Sequence, residues 1–259
     1  FQVGGNMGSA AGPLLAAFIV VPHGQHSIVW FSAAALVAMT VLFQVGGWYS
    51  RRRAESKGNA SKPAARAKAA AGPTISTLSR KRVIGAVLVL VALLFSKNVY
   101  SASLGSYFTF YLIEKFGVEV QTAQLYLFAF LVGIVMGTIA GGIVGDKVGR
   151  IPVMWFSIVG ALPFALMLPY ASLFWTGVLA VLVAAIMASA FSAILVYAQE
   201  LVPGKVGTIS GLFFGFAFGM GGIGAALLGQ LADATSIETV YQLCAYLPLI
   251  GLLTAFLPT

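Results

Sequence analysis

WTGVLAVLVAAIMASAFSAILVYAQ, Trp175–Gln199, runs for 25 residues without an Asp, Glu, Lys, Arg or His. A membrane-spanning helix needs roughly 20 mostly apolar residues, because each residue rises about 1.5 Å and the hydrocarbon layer is about 30 Å thick. Stretches of the same kind recur at Gln2–Val21, Ile28–Tyr49, Val83–Ile113, Thr122–Val144, Pro152–Tyr170, Val206–Leu231 and Thr239–Leu257. Backbone groups in lipid must bond internally, which leaves helices or a closed barrel. Barrel strands alternate over about ten residues, and these runs are longer and continuously apolar. The reading is an all-α membrane protein of about eight transmembrane helices.

Composition agrees. Hydrophobic residues make up 59% and charged residues 8% of the 259, against about 25% charged in an ordinary soluble domain. The net charge of +8 is concentrated: ten of the fifteen Lys and Arg lie between Arg51 and Arg82. With successive spans antiparallel, that basic segment shares a side with Lys147, Arg150 and Lys205, and the opposite side holds Lys115. The positive-inside bias makes the richer side cytoplasmic. The charge therefore reports topology, with anionic lipid headgroups as its neighbour and no nucleic acid as partner.

The single cysteine, Cys244, excludes an intrachain disulfide and a Cys-rich metal site. His23 and His26 sit in a short loop without acidic or Cys companions, so no metal and no cofactor is expected. The first residue is Phe rather than Met and already reads as helix interior, so the chain is expected to begin part-way through a longer protein. Residues 50–82 divide the chain into a two-helix part, 1–49, and a six-helix part, 83–259. This basic, Ala- and Pro-containing segment is too polar to span a membrane and reads as a tether.

Glycine supplies the internal pattern. Gly4, Gly8 and Gly12, then Gly133, Gly137, Gly141 and Gly145, then Gly207, Gly211, Gly215 and Gly219 recur every four residues in every third helix. That spacing lines one helix face and lets a neighbouring backbone approach. Repetition at three-helix intervals fits a transporter built of nested repeats.

With six helices after a basic linker and two before it, the chain resembles the major facilitator superfamily, whose members have two six-helix bundles. Gly142-Ile143-Val144-Gly145-Asp146-Lys147-Val148-Gly149-Arg150 resembles that superfamily's Gly-x-x-x-Asp-x-x-Gly-Arg loop. Gly8-Ser9-Ala10-Ala11-Gly12-Pro13 is similar to its antiporter motif, so Gly8, Gly12 and Pro13 carry that likeness, although Ala16 stands where another Gly is usual. Phe1–Asn6, Leu168–Ser172, Tyr197–Leu201 and Ser210–Gly222 look like a bacterial drug-efflux branch whose name-giving substrate is a small phosphonate. The resemblance implies a twelve-helix fold of which four helices are absent. It also implies a monomeric, multi-pass protein of the inner (plasma) membrane that exports a small drug in exchange for protons.

Lys97 is the charge that most needs explaining, since an ionised side chain inside a span is costly and usually faces a polar cavity. At 100° per residue, Tyr100, Tyr107 and Tyr111 fall within about 80° of it, which gives one face both aromatic and polar character. Lys97, Tyr100, Tyr107 and Tyr111 are therefore the expected substrate or coupling cavity, holding an anion or letting Lys97 change protonation. Asp146, Arg150 and Glu200 lie at cytoplasmic helix ends, and in the resemblance they form a cytoplasmic gate. An intramembrane enzyme would need a nucleophile with its base, paired acids or a metal cluster at membrane depth; none is visible. A carrier for another small anionic metabolite remains an alternative, and a channel is a weaker one. Phosphatase reporters in a full-length protein test the topology: fusion after Gln25 is expected to be active and fusion within 61–71 inactive, and the reverse pattern would sink the cytoplasmic assignment.

Overall fold

A computed structural model describes residues 2–58, 80–202, 204 and 206–250. The first span is α1 (Gln2–Leu15), prolonged by a π-helical turn, Ala16–Val20, and the short turn Val21–His23. Pro13 offers no N–H to the carbonyl four residues back, and the wider turn follows directly, with Val21 N–H reaching Ala16 O. Then come α2 (Val29–Gly58), α3 (Arg80–Phe116), α4 (Val120–Val148), α5 (Arg150–Val159), α6 (Ala161–Met167), α7 (Leu173–Leu201), α8 (Val206–Ala234) and α9 (Ile237–Cys244). Seven helical spans among the described residues are long and apolar enough to cross a membrane; Ile237–Ile250 is apolar but shorter. The rest of the eighth expected span, residues 251–257, lies outside the described residues, as do most of the linker, Lys205 and residues 251–259 of the six-helix part.

Two boundaries differ from the sequence reading. Helix α2 continues past Tyr49 to Gly58, and α3 begins at Arg80, so both ends of the 50–82 segment are helical. Arg, Lys, Ala and Glu are good helix formers, and polarity ends a membrane span without ending a helix. The fifth span, Arg150–Tyr170, is one crossing made of α5, α6 and a 3₁₀ turn at Leu168–Tyr170. Pro163 lacks the N–H that would bond Val159, and the helix is interrupted at Gly160.

Helix ends follow local chemistry. Gly117 (φ 64°) ends α3 with its N–H on Ile113 O at 2.9 Å, and Gly149 (φ 101°) separates α4 from α5; both conformations favour glycine. Ser236 Oγ accepts the Thr239 N–H at 3.2 Å and caps α9.

Helix α7 is the hub, packing on α4, α5, α6 and α3, while α8 lies along α3 and α1 packs chiefly on α4. The α4–α7 contact is the tightest. A Cβ added at Gly133, Gly137 or Gly141 would sit 2.7, 2.0 or 2.1 Å from the carbonyl oxygens of Val181, Ala185 and Ser189. The stripe on α4 is thus an interface of backbone against backbone. The stripes on α1 and α8 are different: a Cβ at Gly4, Gly8, Gly12, Gly211, Gly215 or Gly219 meets nothing within 4 Å. Helix α8 turns Ile209, Phe213 and Ala217 to the core, about 200° from its glycines at 100° per residue, and α1 buries Ala10 in the same relation. Expected interface roles for Gly211, Gly215 and Gly219 therefore have no counterpart among the described contacts. Gly137→Ala is expected to destabilise the protein by at least about 1–3 kcal/mol, as overpacking does. Gly142→Ala, where a Cβ meets nothing within 4 Å, is expected to be tolerated; equal thermal unfolding midpoints in detergent for the two variants would refute the backbone contact.

Candidate functional site

Lys97 stands in the interior of α3 and is buried. Its ammonium donates to Ser157 Oγ of α5 at 2.7 Å and to the Met187 carbonyl of α7 at 3.3 Å. The Ser157 hydroxyl donates in turn to Met154 O at 2.7 Å, so its lone pairs are left for the ammonium. No ion pair involves Lys97 among the described residues. The preceding residue, Ser96, donates its Oγ hydrogen to the Leu247 carbonyl.

Beside this ammonium lies a cavity of about 180 Å³. Its polar wall is Asn6 of α1, Lys97, Asn98 and Ser101 of α3, and Thr138 of α4; Phe191 and Phe218 are among the apolar walls. Asn98 Nδ2 donates to Leu94 O at 2.8 Å, which ties up one donor of that side chain within its own helix. Asn6 Nδ2 donates to Thr138 Oγ1 at 3.1 Å across the α1–α4 contact. No Asp or Glu among the described residues lines the cavity. A positive group with hydrogen-bond donors and no carboxylate suits a small anion.

The three tyrosines expected beside Lys97 are elsewhere. Tyr100 is buried in the core cluster with Tyr111, Tyr241 and Cys244. Tyr107 donates to Ala225 O at 2.7 Å and lines a separate hollow near Glu114 and Asp233. Tyr111 stacks on Tyr241 with ring centroids 4.1 Å apart. The stripe is real as an angle, but Tyr107 and Tyr111 lie about 15 and 21 Å farther along the helix at 1.5 Å per residue. There α8 and α9, not the cavity, cover the face.

Where α4 ends and α5 begins, beside the C-terminal end of α7, the structure does bring Asp146, Arg150 and Glu200 together. The Arg150 guanidinium reaches Glu200 Oε1 at 3.1 Å, Asp146 Oδ1 at 3.5 Å and Gly145 O at 3.3 Å, which joins α4, α5 and α7. Asp146 remains 82% exposed. At the opposite end a matching cluster escaped the sequence reading. Lys115 Nζ pairs with Glu238 Oε1 at 3.0 Å, and donates to Tyr111 Oη at 3.1 Å and to the Pro169 carbonyl. The signal available was thin: Tyr111 and Lys115 are one turn apart, and topology puts Glu238 at the same boundary. His23 Nδ1 lies 3.0 Å from Ile19 O, and no group of three or more possible metal ligands occurs among the described residues. Gly8, Gly12 and Pro13 line α1 ahead of its π turn without forming a pocket with Lys97.

Residues 1–226 match the Major Facilitator Superfamily. The chain belongs to that superfamily. Its seven described helical spans fit a multi-pass membrane protein of that superfamily. Over 258 residues it is 58% identical to the fosmidomycin resistance protein of Escherichia coli (strain K12), which covers all of this chain and 61% of that protein. Over 260 residues it is 40% identical to the MFS-type transporter YfnC of Bacillus subtilis (strain 168), again covering all of this chain and 62% of the relative. The chain therefore spans about three-fifths of the length of these relatives.

The Asp146–Arg150–Glu200 cluster makes a separable prediction. Arg150→Lys keeps the charge but loses the planar fork, and because the groups are partly exposed the expected cost is about 1 kcal/mol. A lower unfolding midpoint in detergent for Arg150→Lys, beside an unchanged midpoint for Lys147→Gln, is the expected result; Lys147 has no ion pair among the described residues.

Proposed function

We propose that a full-length transporter carrying this sequence exports a small anionic drug of the fosmidomycin type, in exchange for protons, by alternating access in a bacterial inner membrane. The observation that carries the reading is Lys97: a buried amine with neutral partners and no ion pair among the described residues, on a largely apolar cavity with a polar patch, walled by α1 on one side and α3, α4, α7 and α8 on the other. An unpaired cation at that depth is costly. A phosphonate supplies the missing negative charge and accepts from Asn6, Asn98 and Ser101 in the same volume. The relative named for fosmidomycin resistance supports the substrate class.

Linkage limits what Lys97 does in coupling. An anion binds the protonated amine, so proton and anion help each other at this residue, and by reciprocity each raises the affinity for the other. Antiport requires competition instead, which a carboxylate near the substrate path provides. None of the described Asp or Glu side chains lines the cavity, so the described cavity walls supply no such competitor. Lys97 is the anion-binding group.

In this reading the inner cluster works as the cytoplasmic gate. Asp146, exposed and held at 3.5 Å, is the member that exchanges partners, while the 3.1 Å Arg150–Glu200 pair keeps α5 and α7 together. Localisation of the 50–82 segment in the cytoplasm and a monomeric full-length protein belong to the same proposal.

Fosmidomycin accumulation in a sensitive bacterium is the test, with and without a proton uncoupler. Cells expressing the full-length transporter are expected to accumulate less drug, the uncoupler to abolish the difference, and Lys97→Ala to raise accumulation to the empty-vector level at equal membrane expression. Accumulation matching the vector control in the parent protein would show that fosmidomycin is not its substrate.

A further inference from the structure

Helix α1 is held to the rest of the chain in an unusual way. Its glycine face is open, and its buried residue is the small Ala10. Among the described residues, one side-chain hydrogen bond joins residues 2–58 to residues 80–250: Asn6 Nδ2 to Thr138 Oγ1, 3.1 Å. Its direction is fixed by chemistry. The Thr138 hydroxyl donates its proton to Ile134 O at 2.7 Å, so it can only accept from Asn6, and the amide group of Asn6 must face it. The second N–H and the Oδ1 of the same carboxamide have no hydrogen bond among the described residues. Asn6 and Thr138 both line the cavity that contains Lys97.

One side chain thus belongs to two structures, the α1–α4 seam and the ligand cavity. We propose that Asn6 is the residue through which occupancy of the Lys97 cavity is passed to the seam between α1 and the six-helix part. This rests on the reading of the cavity as the anion site. With the cavity empty, Asn6 donates to Thr138 and latches the seam. An anion on Lys97 presents a charged acceptor to the same carboxamide, and a hydrogen bond to a charged acceptor is roughly twice as strong as one between neutral groups. The ligand then competes with Thr138 for the Asn6 amide, and each turn of the carboxamide toward the charged acceptor costs the seam its one described polar tie. A ligand that lacks an acceptor in reach of Asn6 fills the cavity without releasing the latch, which makes Asn6 a positioning and coupling residue.

The experiment uses the full-length transporter in lipid vesicles, cysteine-free except for spin labels at Val21→Cys and Val120→Cys. Both native residues are exposed; Val21 stands at the end of the first span and Val120 at the start of α4, which lie at the same end of the bundle. Pulsed electron resonance gives the populations of the near and far distances. Without ligand, Thr138→Val and Asn6→Ala are each expected to shift the near-to-far ratio by roughly two- to tenfold, the worth of one neutral hydrogen bond, and Thr138→Ser is expected to restore it. Fosmidomycin is expected to shift the parent in the same direction and to leave Asn6→Ala unmoved. An unchanged ligand-free ratio in Thr138→Val overturns the latch, whatever the substrate is. Equal responses to fosmidomycin in Asn6→Ala and the parent overturn the transmission. If fosmidomycin does not bind the parent at all, the substrate reading and the ligand half of the proposal fall together, while the ligand-free comparison still decides the latch.

Discussion

The backbone contact between α4 and α7 sets the position of everything that gives this protein a polar interior. Gly133, Gly137 and Gly141 admit the carbonyls of Val181, Ala185 and Ser189 to where side chains would otherwise stand. In lipid, where apolar side chains gain little by leaving one apolar medium for another, such close packing is a principal source of helix association. Thr138 follows Gly137 directly, and Met187 lies between Ala185 and Ser189. The acceptor for Asn6 and the carbonyl acceptor for Lys97 are therefore both carried on the segments that the glycines lock together. A one-residue slip of this seam would rotate Thr138 away from α1 and Met187 O away from α3 at once.

Charge is distributed with the same economy. The ends of the bundle hold conventional pairs, Arg150 with Glu200 and Asp146 at one end, Lys115 with Glu238 at the other. Both lie within residues 80–250, so they brace the two ends of one helical unit. The middle holds a lysine whose partners among the described residues are neutral. Partly exposed pairs are each worth little, whereas a buried charge without a counter-ion is a strong constraint. The arrangement places the electrostatic tension of the molecule at the cavity.

Legibility from sequence followed the range of the interaction. Spans were legible because membrane thickness fixes a length and lipid fixes a composition, and the α4 stripe because spacing alone defines a face. What a face meets is a different matter. The stripes on α1 and α8 have the same spacing as that on α4, yet their glycines meet nothing, since the buried sides of those helices are set by Ala10, Phe213 and Ala217. Lys97 stood out because one charge in an apolar run is conspicuous. Its partners did not, since a serine 60 residues away and a main-chain carbonyl 90 residues away carry no mark in the sequence. Tyr107 and Tyr111 show the opposite error, in which angular agreement hid axial distance. Lys115 and Glu238, 123 residues apart, could be matched only by their common boundary.

Those separations also impose an order on the making of the protein. Synthesis proceeds from the N-terminus at about 5–20 residues per second, so Lys97 leaves the ribosome seconds before Ser157 and longer still before Met187. During that interval α3 must enter the bilayer carrying an ammonium with none of its eventual acceptors, at an insertion cost of about 2.5–3.5 kcal/mol near the helix centre. The run VIGAVLVLVALLF at 83–95 offsets that cost within the same helix. Its hydrophobicity is thus set by biogenesis as well as by the finished fold: it is the ballast that keeps a charged helix in the membrane until its neighbours arrive.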